Sequence, residues 1–169
     1  KGQPITNGTI GIVFGKCVKT FAWPGRPNGF NKKARVADES KGVAMNKILN
    51  RTELKEKLDA LRQEGKKIAF TNGCFDLLHV GHVRYLKEAG KTADVLVLAL
   101  NSDSSVRAIK GLKRPLVPEQ ERAEILAELE CIDFITIFSE PTPLELICLL
   151  KPDVLIKGGD WAEEQVVGR

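Results

Sequence analysis

Both histidines of this chain, His79 and His82, stand three residues apart in the stretch Gly73-Cys74-Phe75-Asp76-Leu77-Leu78-His79-Val80-Gly81-His82. A short apolar run precedes the stretch and helical spacing follows it, so the pair falls where a strand turns into a helix. Free backbone N–H groups and the helix dipole attract phosphate at such a place. Gly81 removes a side chain from between the imidazoles and leaves room for a polyphosphate to approach the backbone. The same dipole disfavours an imidazolium, so each ring is expected to be neutral and to donate one N–H to an anion whose charge grows during reaction. Two other readings use the same residues. One is zinc held by Cys74, His79 and His82, for which the spacing is poor and Gly81 has no purpose; the other is a pair of purely structural histidines.

Two further segments gather chemistry. Lys110-Gly111-Leu112-Lys113-Arg114-Pro115 collects cations on a glycine-containing loop, a composition that suits a triphosphate and equally suits a solvated surface. Lys157 ends a buried run and is followed by Gly158 and Gly159, where a cation could neutralise a second phosphate and the glycines could admit it.

The elements that must position these residues are regular from Met45 onward. Asn50 and Glu53 have capping-box spacing, and Leu54, Leu58 and Leu61 continue at helical spacing until Gly65. The pattern predicts strands over 67–71, 94–100, 134–138 and 153–157, with helices from His79 or Val80 to about Ala89, over 104–109, from Pro118 with Ile125, Leu126 and Leu129 on its apolar face, and over 143–150. Strands alternating with helices at these lengths imply an α/β class with a parallel sheet covered on both faces.

Composition narrows the function. The chain has 169 residues and a net charge of +4, yet residues 1–44 hold 8 basic and 2 acidic side chains, whereas the remainder holds 18 basic and 20 acidic. The regular part is mildly acidic, which argues against a nucleic-acid surface. The segment 1–44 also carries 7 of the 15 glycines and no sustained period, so it reads as a leader outside the fold, with the domain over 45–169. No apolar run is long enough for a membrane span, and Cys17, Cys74, Cys131 and Cys148 form no C-x-x-C pair, which fits reduced thiols in a cytoplasm.

The G-x-F-D-x-x-H-x-G-H pattern resembles the signature of the nucleotidyltransferase superfamily, and the chain is most similar to the D-glycero-β-D-manno-heptose 1-phosphate adenylyltransferases, found alone or as the C-terminal half of bifunctional heptose kinase/adenylyltransferases. The likeness runs through Phe70-Thr71-Asn72-Gly73-Cys74-Phe75-Asp76, Asn101-Ser102-Asp103-Ser104-Ser105-Val106-Arg107, Lys113-Arg114-Pro115, Glu121-Arg122-Ala123 and Lys157-Gly158-Gly159-Asp160-Trp161. It implies a Rossmann-like sheet of order 3-2-1-4-5 and transfer of AMP from ATP to a sugar 1-phosphate, with heptose 1-phosphate favoured and pyrophosphate released. In that order the histidine turn and the Lys157 turn face each other across one crevice.

On this likeness His79, His82 and Lys157 are the expected catalytic residues. Thr71, Asn72, Gly73, Phe75, Gly81, Asn101, Asp103, Lys110, Arg114 and Arg122 are expected around the nucleotide, although Asn101 and Asp103 could also cap the next helix. Asp76, Lys157, Gly158, Asp160 and Trp161 are expected on the sugar-phosphate side; Asp76 is better suited to orienting its turn than to reacting, and Trp161 could equally close the core. Mg²⁺ is expected to arrive with ATP and not in a protein cage, so no metal ligands are assigned. Against the family pattern the chain stops early, which leaves the fifth strand missing and the last strand at an edge, with a homodimer through that edge as one consequence. The kinase partner domain is absent, although Gly11-Ile12-Val13-Phe14-Gly15-Lys16 weakly resembles one of its strands. Cytidylyl transfer to a polyol or amino-alcohol phosphate and an idle nucleotide-binding module are the alternative functions.

Overall fold

The computed structural model describes residues 9–14, 17–20 and 47–157, the first two segments as backbone only. Eleven elements follow in order: β1 (Thr9–Phe14), β2 (Cys17–Thr20), α1 (Arg51–Gln63), β3 (Ile68–Gly73), α2 (Val80–Ala89), β4 (Val95–Asn101), α3 (Asp103–Lys110), α4 (Glu119–Ala127), β5 (Phe134–Phe138), α5 (Leu144–Leu150) and β6 (Val154–Lys157). The capping box predicted at Asn50 is formed in both directions, its side chain accepting from Thr52 and Glu53 while Glu53 accepts from the Asn50 amide. Gly65 leaves that helix at φ +79°, a conformation that favours glycine.

β5, β4, β3 and β6 are neighbours in that order and all parallel, which is the expected 3-2-1-4 arrangement of an α/β sheet. The order reverses between β3 and β6, where Phe70 lies opposite Leu155 and Thr71 opposite Ile156. A crevice at the carboxyl ends of these strands is where such sheets bind ligands.

The expectation that β6 lies at an edge, with the fifth position empty, is corrected. β1 runs parallel to β6 from Thr9 opposite Val154 to Ile12 opposite Lys157, and β2 pairs antiparallel outside it. The segment Thr9-Ile10-Gly11-Ile12-Val13-Phe14 is rich in β-branched residues, and the unpaired backbone row of β6 accepts a strand from any position in the chain. These ten residues of the leader therefore join the sheet, whereas the rest of 1–46 lies outside the described residues.

Two apolar layers sandwich the sheet. On one face Ala69, Leu96, Leu98, Leu100, Ile135, Val154 and Ile156 meet Leu86 and Ala89 of α2 and Ala123, Leu126 and Ala127 of α4. On the other, Ile68, Phe70, Val95, Val97, Phe138 and Leu155 meet Leu54 and Leu58 of α1 and Leu146, Ile147 and Leu150 of α5. Alternation along each strand supplies both layers, so the strands read as continuous apolar runs. One expectation fails in α4: Ile125 is exposed, because the helix turns Arg122, Ala123, Leu126 and Ala127 inward.

Candidate active site

The turn from β3 into α2 brings the histidines together through the backbone. His79 is the N-cap of α2, its Nδ1 accepting from the Gly81 amide at 3.1 Å, while His82 Nδ1 faces the His79 amide at 3.4 Å. The two rings stack with centroids 4.0 Å apart and 29° between their planes. With each Nδ1 used as an acceptor, the neutral rings carry their protons on Nε2 and present two N–H donors beside a helix N-terminus. Burial lowers the His82 pKa, and electrostatic interaction with His79 and Lys110 lowers it further, which favours the neutral donor form.

Glycine serves the rings more directly than expected. A Cβ on Gly81 would stand 2.8 Å from His79 Cε1, so any side chain there would push the imidazole out of its stack. A Cβ on Gly73 would stand 2.8 Å from Phe75 Cε2 in the same way. Phe75 itself has φ +44°, strained for a bulky residue, and its buried ring meets His82 edge-on at 5.1 Å.

At the adjoining end of β6, the buried Lys157 ammonium hydrogen-bonds Asn72 Oδ1, which ties β6 to β3 across the point where the strand order reverses. Burial lowers the Lys157 pKa to about 8. Thr71 is also buried, and its hydroxyl is 2.6 Å from the Tyr85 hydroxyl of α2. The expectations for Gly158, Asp160 and Trp161 lie outside the described residues.

Four of the charged residues expected at ligands are engaged with protein. Asp76 accepts from Arg114 at 2.6 Å and from the amides of Leu116 and Val117 at 2.7 and 3.1 Å. Burial pushes the Asp76 pKa up, but these hydrogen bonds outweigh it and hold the carboxyl below its usual range. The Arg122 guanidinium, only 1% exposed, donates to Val117 O, Cys74 O, Asn101 O and Asp103 Oδ1. Arg122 and Asp103, both expected at the nucleotide, are thus paired with each other, and the guanidinium faces protein acceptors. Asn101 likewise donates to Ser105 Oγ, whereas the cap of α3 is Ser102, whose hydroxyl accepts from the Ser105 amide. Lys110 remains on the exposed end of α3, close enough to act on His82.

Burial raises the Cys74 pKa, which works against a thiolate ligand, and among the described residues no three His, Cys, Asp or Glu side chains come together to hold a metal. Sequence reasoning missed Tyr85 and the backbone of Val117. Tyr85 follows His82 by three residues on the same helix, a spacing that points it back at β3. Val117 had no signal, because its part is played by its peptide groups.

A family model described as cytidylyltransferase-like matches residues 70–166, which takes in the histidine turn, the buried arginine and Lys157. The chain belongs to the cytidylyltransferase-like family. It is similar to the bifunctional protein HldE of Pelobacter propionicus, 62% identical over 123 residues that cover 73% of this chain and 25% of the relative. It is also 56% identical over 167 residues to the HldE of Citrifermentans bemidjiense, covering 98% of this chain and 33% of that protein. The chain thus spans a quarter to a third of these relatives, and the second match takes in most of the segment ahead of Met45. Among solved structures, the lipopolysaccharide core biosynthesis protein from Thermoplasma volcanium is 31% identical with a TM-score of 0.52, over 57% of this chain and 77% of that one. This cytidylyltransferase-like chain has no helix long and apolar enough to cross a membrane among its described residues.

Proposed function

We propose that the domain over 45–169 transfers AMP from ATP to a sugar 1-phosphate, heptose 1-phosphate above others, to give an ADP-sugar for lipopolysaccharide-core synthesis. The observation that carries this reading is the stacked His79–His82 pair, whose backbone-anchored Nδ1 atoms leave two Nε2–H donors at the mouth of the crevice. An oxygen of the acceptor phosphate attacks the α-phosphorus in line, the bond to the bridging oxygen breaks, and pyrophosphate leaves with that electron pair. No protein nucleophile is needed. The two imidazoles donate to phosphate oxygens as charge builds, Lys157 neutralises the incoming phosphate, and Lys110 adds positive potential over the polyphosphate. Mg²⁺ travelling with ATP would shield the triphosphate charge; the carboxylates nearest the turn, Asp76 and Asp103, are already paired with Arg114 and Arg122. The relatives named HldE support the choice of acceptor, and the place of work is the cytoplasm, where ATP is supplied.

A panel of the four nucleoside triphosphates against sugar 1-phosphates and glycerol 3-phosphate, scored by pyrophosphate release, tests this reading. Release with ATP and heptose 1-phosphate is expected. Release only with CTP and a polyol phosphate would move the chain to cytidylyl transfer, and none with any pair would make it a binding module.

A further inference from the structure

Arg122 and Asp76 close a circuit around the strained residue of the histidine turn. Asp76 Oδ1 accepts the Val117 N–H, and Arg122 Nε donates to the Val117 carbonyl, so one residue of the 111–118 loop is gripped through the peptide groups on both its sides. From Val117 the path returns through Arg122 Nη1 to the Cys74 carbonyl at 2.5 Å. Cys74 and Asp76 flank Phe75. The residue with φ +44° is therefore held on both sides by hydrogen bonds that end on the same loop, which is the over-determination a strained backbone needs to persist. The Phe75 ring then meets His82 edge-on, so the position of the circuit is passed to an imidazole.

Arg122 extends the same grip to the second turn of the crevice. It donates to the Asn101 carbonyl at the end of β4 and to Asp103 at the start of α3, where the Asp103 amide in turn donates to Glu119 of α4. Four of the five donor directions of a guanidinium are thus used by protein acceptors, three of them backbone carbonyls. Removing a buried cation from water is costly, and a guanidinium so placed is retained where planar, forked donation to fixed acceptors is needed.

We infer that Arg122 and Asp76 are positioning residues of the transfer reaction: together they lock the 111–118 loop to the Cys74–Asp76 turn, hold Phe75 in its left-handed backbone, and so aim the His82 Nε2–H. The kinetic part of this inference rests on the proposed adenylyl transfer; the structural part does not.

The test uses the full chain with Arg122→Lys, which keeps the charge but loses the fork, and with Asp103→Asn, which weakens the same grip from its half-exposed end. Residue-resolved hydrogen exchange on ligand-free protein should show the Leu116, Val117 and Gly81 amides exchanging about tenfold faster or more in Arg122→Lys, with Leu98 in β4 unchanged. Asp103→Asn should loosen the same amides to a smaller degree, and decides the matter if Arg122→Lys does not fold. In the transfer assay Arg122→Lys should lower kcat by roughly 10–100-fold and leave the KM for ATP within about threefold, as expected for lost alignment and not lost ground-state binding. A raised KM with unchanged kcat would make Arg122 a phosphate ligand and overturn the inference, as would loosening of Leu116 and Val117 without Gly81. If wild type transfers no nucleotide, the proposed function fails, and the exchange pattern alone upholds or overturns the positioning roles.

Discussion

The histidine pair owes its chemistry to the atoms it does not present. Both Nδ1 atoms face backbone amides, so the Nε2 protons are the ones left for phosphate oxygens. His79→Ala and His82→Ala are each expected to lower kcat by on the order of 10²–10³ with smaller effects on ATP affinity, because their hydrogen bonds strengthen as charge develops. Wild-type turnover in either folded variant would remove them from the mechanism. Lys157 makes a pH prediction. Its pKa falls from 10.5 to about 8 on burial, so between those values the unfolded chain binds a proton that the folded chain does not. Stability should therefore rise as pH climbs through that window, with the full burial penalty present below it. Melting temperatures against pH should show this rise in wild type and a flatter profile in Lys157→Met. The placement of His79 and His82 together at a strand-to-helix turn, and of Lys157 at the end of a buried strand, was legible from residue type and spacing. The engagement of Arg122 and Asp103 was not, because an arginine on a glutamate-rich helix looks the same in sequence whether it faces solvent or the core.

Among the elements, strand registry depends on an aspartate device repeated three times. Asp94 exchanges hydrogen bonds with Lys67, Asp133 with Leu96 and Asp153 with Ile68; each aspartate amide donates to the partner carbonyl and each carboxylate accepts the partner amide at 2.7–2.9 Å. Every one stands immediately ahead of its strand or close to it, closing the first rung of the parallel ladder. Asp133→Ala strands the buried amide of Leu96 and should cost about 1–3 kcal/mol in denaturant unfolding, with the loss recovered partly by Asp133→Asn. Thr136 behaves in the opposite sense. Its buried hydroxyl has no hydrogen-bond partner among the described residues, so Thr136→Val should stabilise by roughly 0.5–2 kcal/mol in the same measurement. Element positions followed closely from capping and periodicity: α1 starts at its Asn50 box and β5 occupies the predicted residues. Side-chain service to a neighbouring strand, as at Asp133, leaves no periodic trace, and the inward face of α4 was misread because a buried arginine does not count as apolar.

For the whole molecule, the order β5-β4-β3-β6 was readable because the resemblance to the nucleotidyltransferase superfamily implies it, whereas the occupant of the place beside β6 was not. An appended strand needs only an unpaired edge and some β-branched residues, and the segment Thr9–Phe14 supplies these amid punctuation that hides its period. Both apolar layers nonetheless draw their described members from Ile48 onward, and so does every described side chain of the histidine turn. We therefore propose that 45–169 is the folding and ligand-binding unit, with β1 and β2 a cover for its edge. Deleting residues 1–44 should leave ATP affinity unchanged and lower the melting temperature by only a few degrees, about what one lost edge pairing is worth in a domain this size. The bared row of β6 should then seek another strand, so the shortened chain is expected to self-associate with rising concentration in sedimentation velocity, where the full chain does not. Loss of cooperative unfolding on deletion would instead make β1 part of the core, and would move the domain boundary to its first residue.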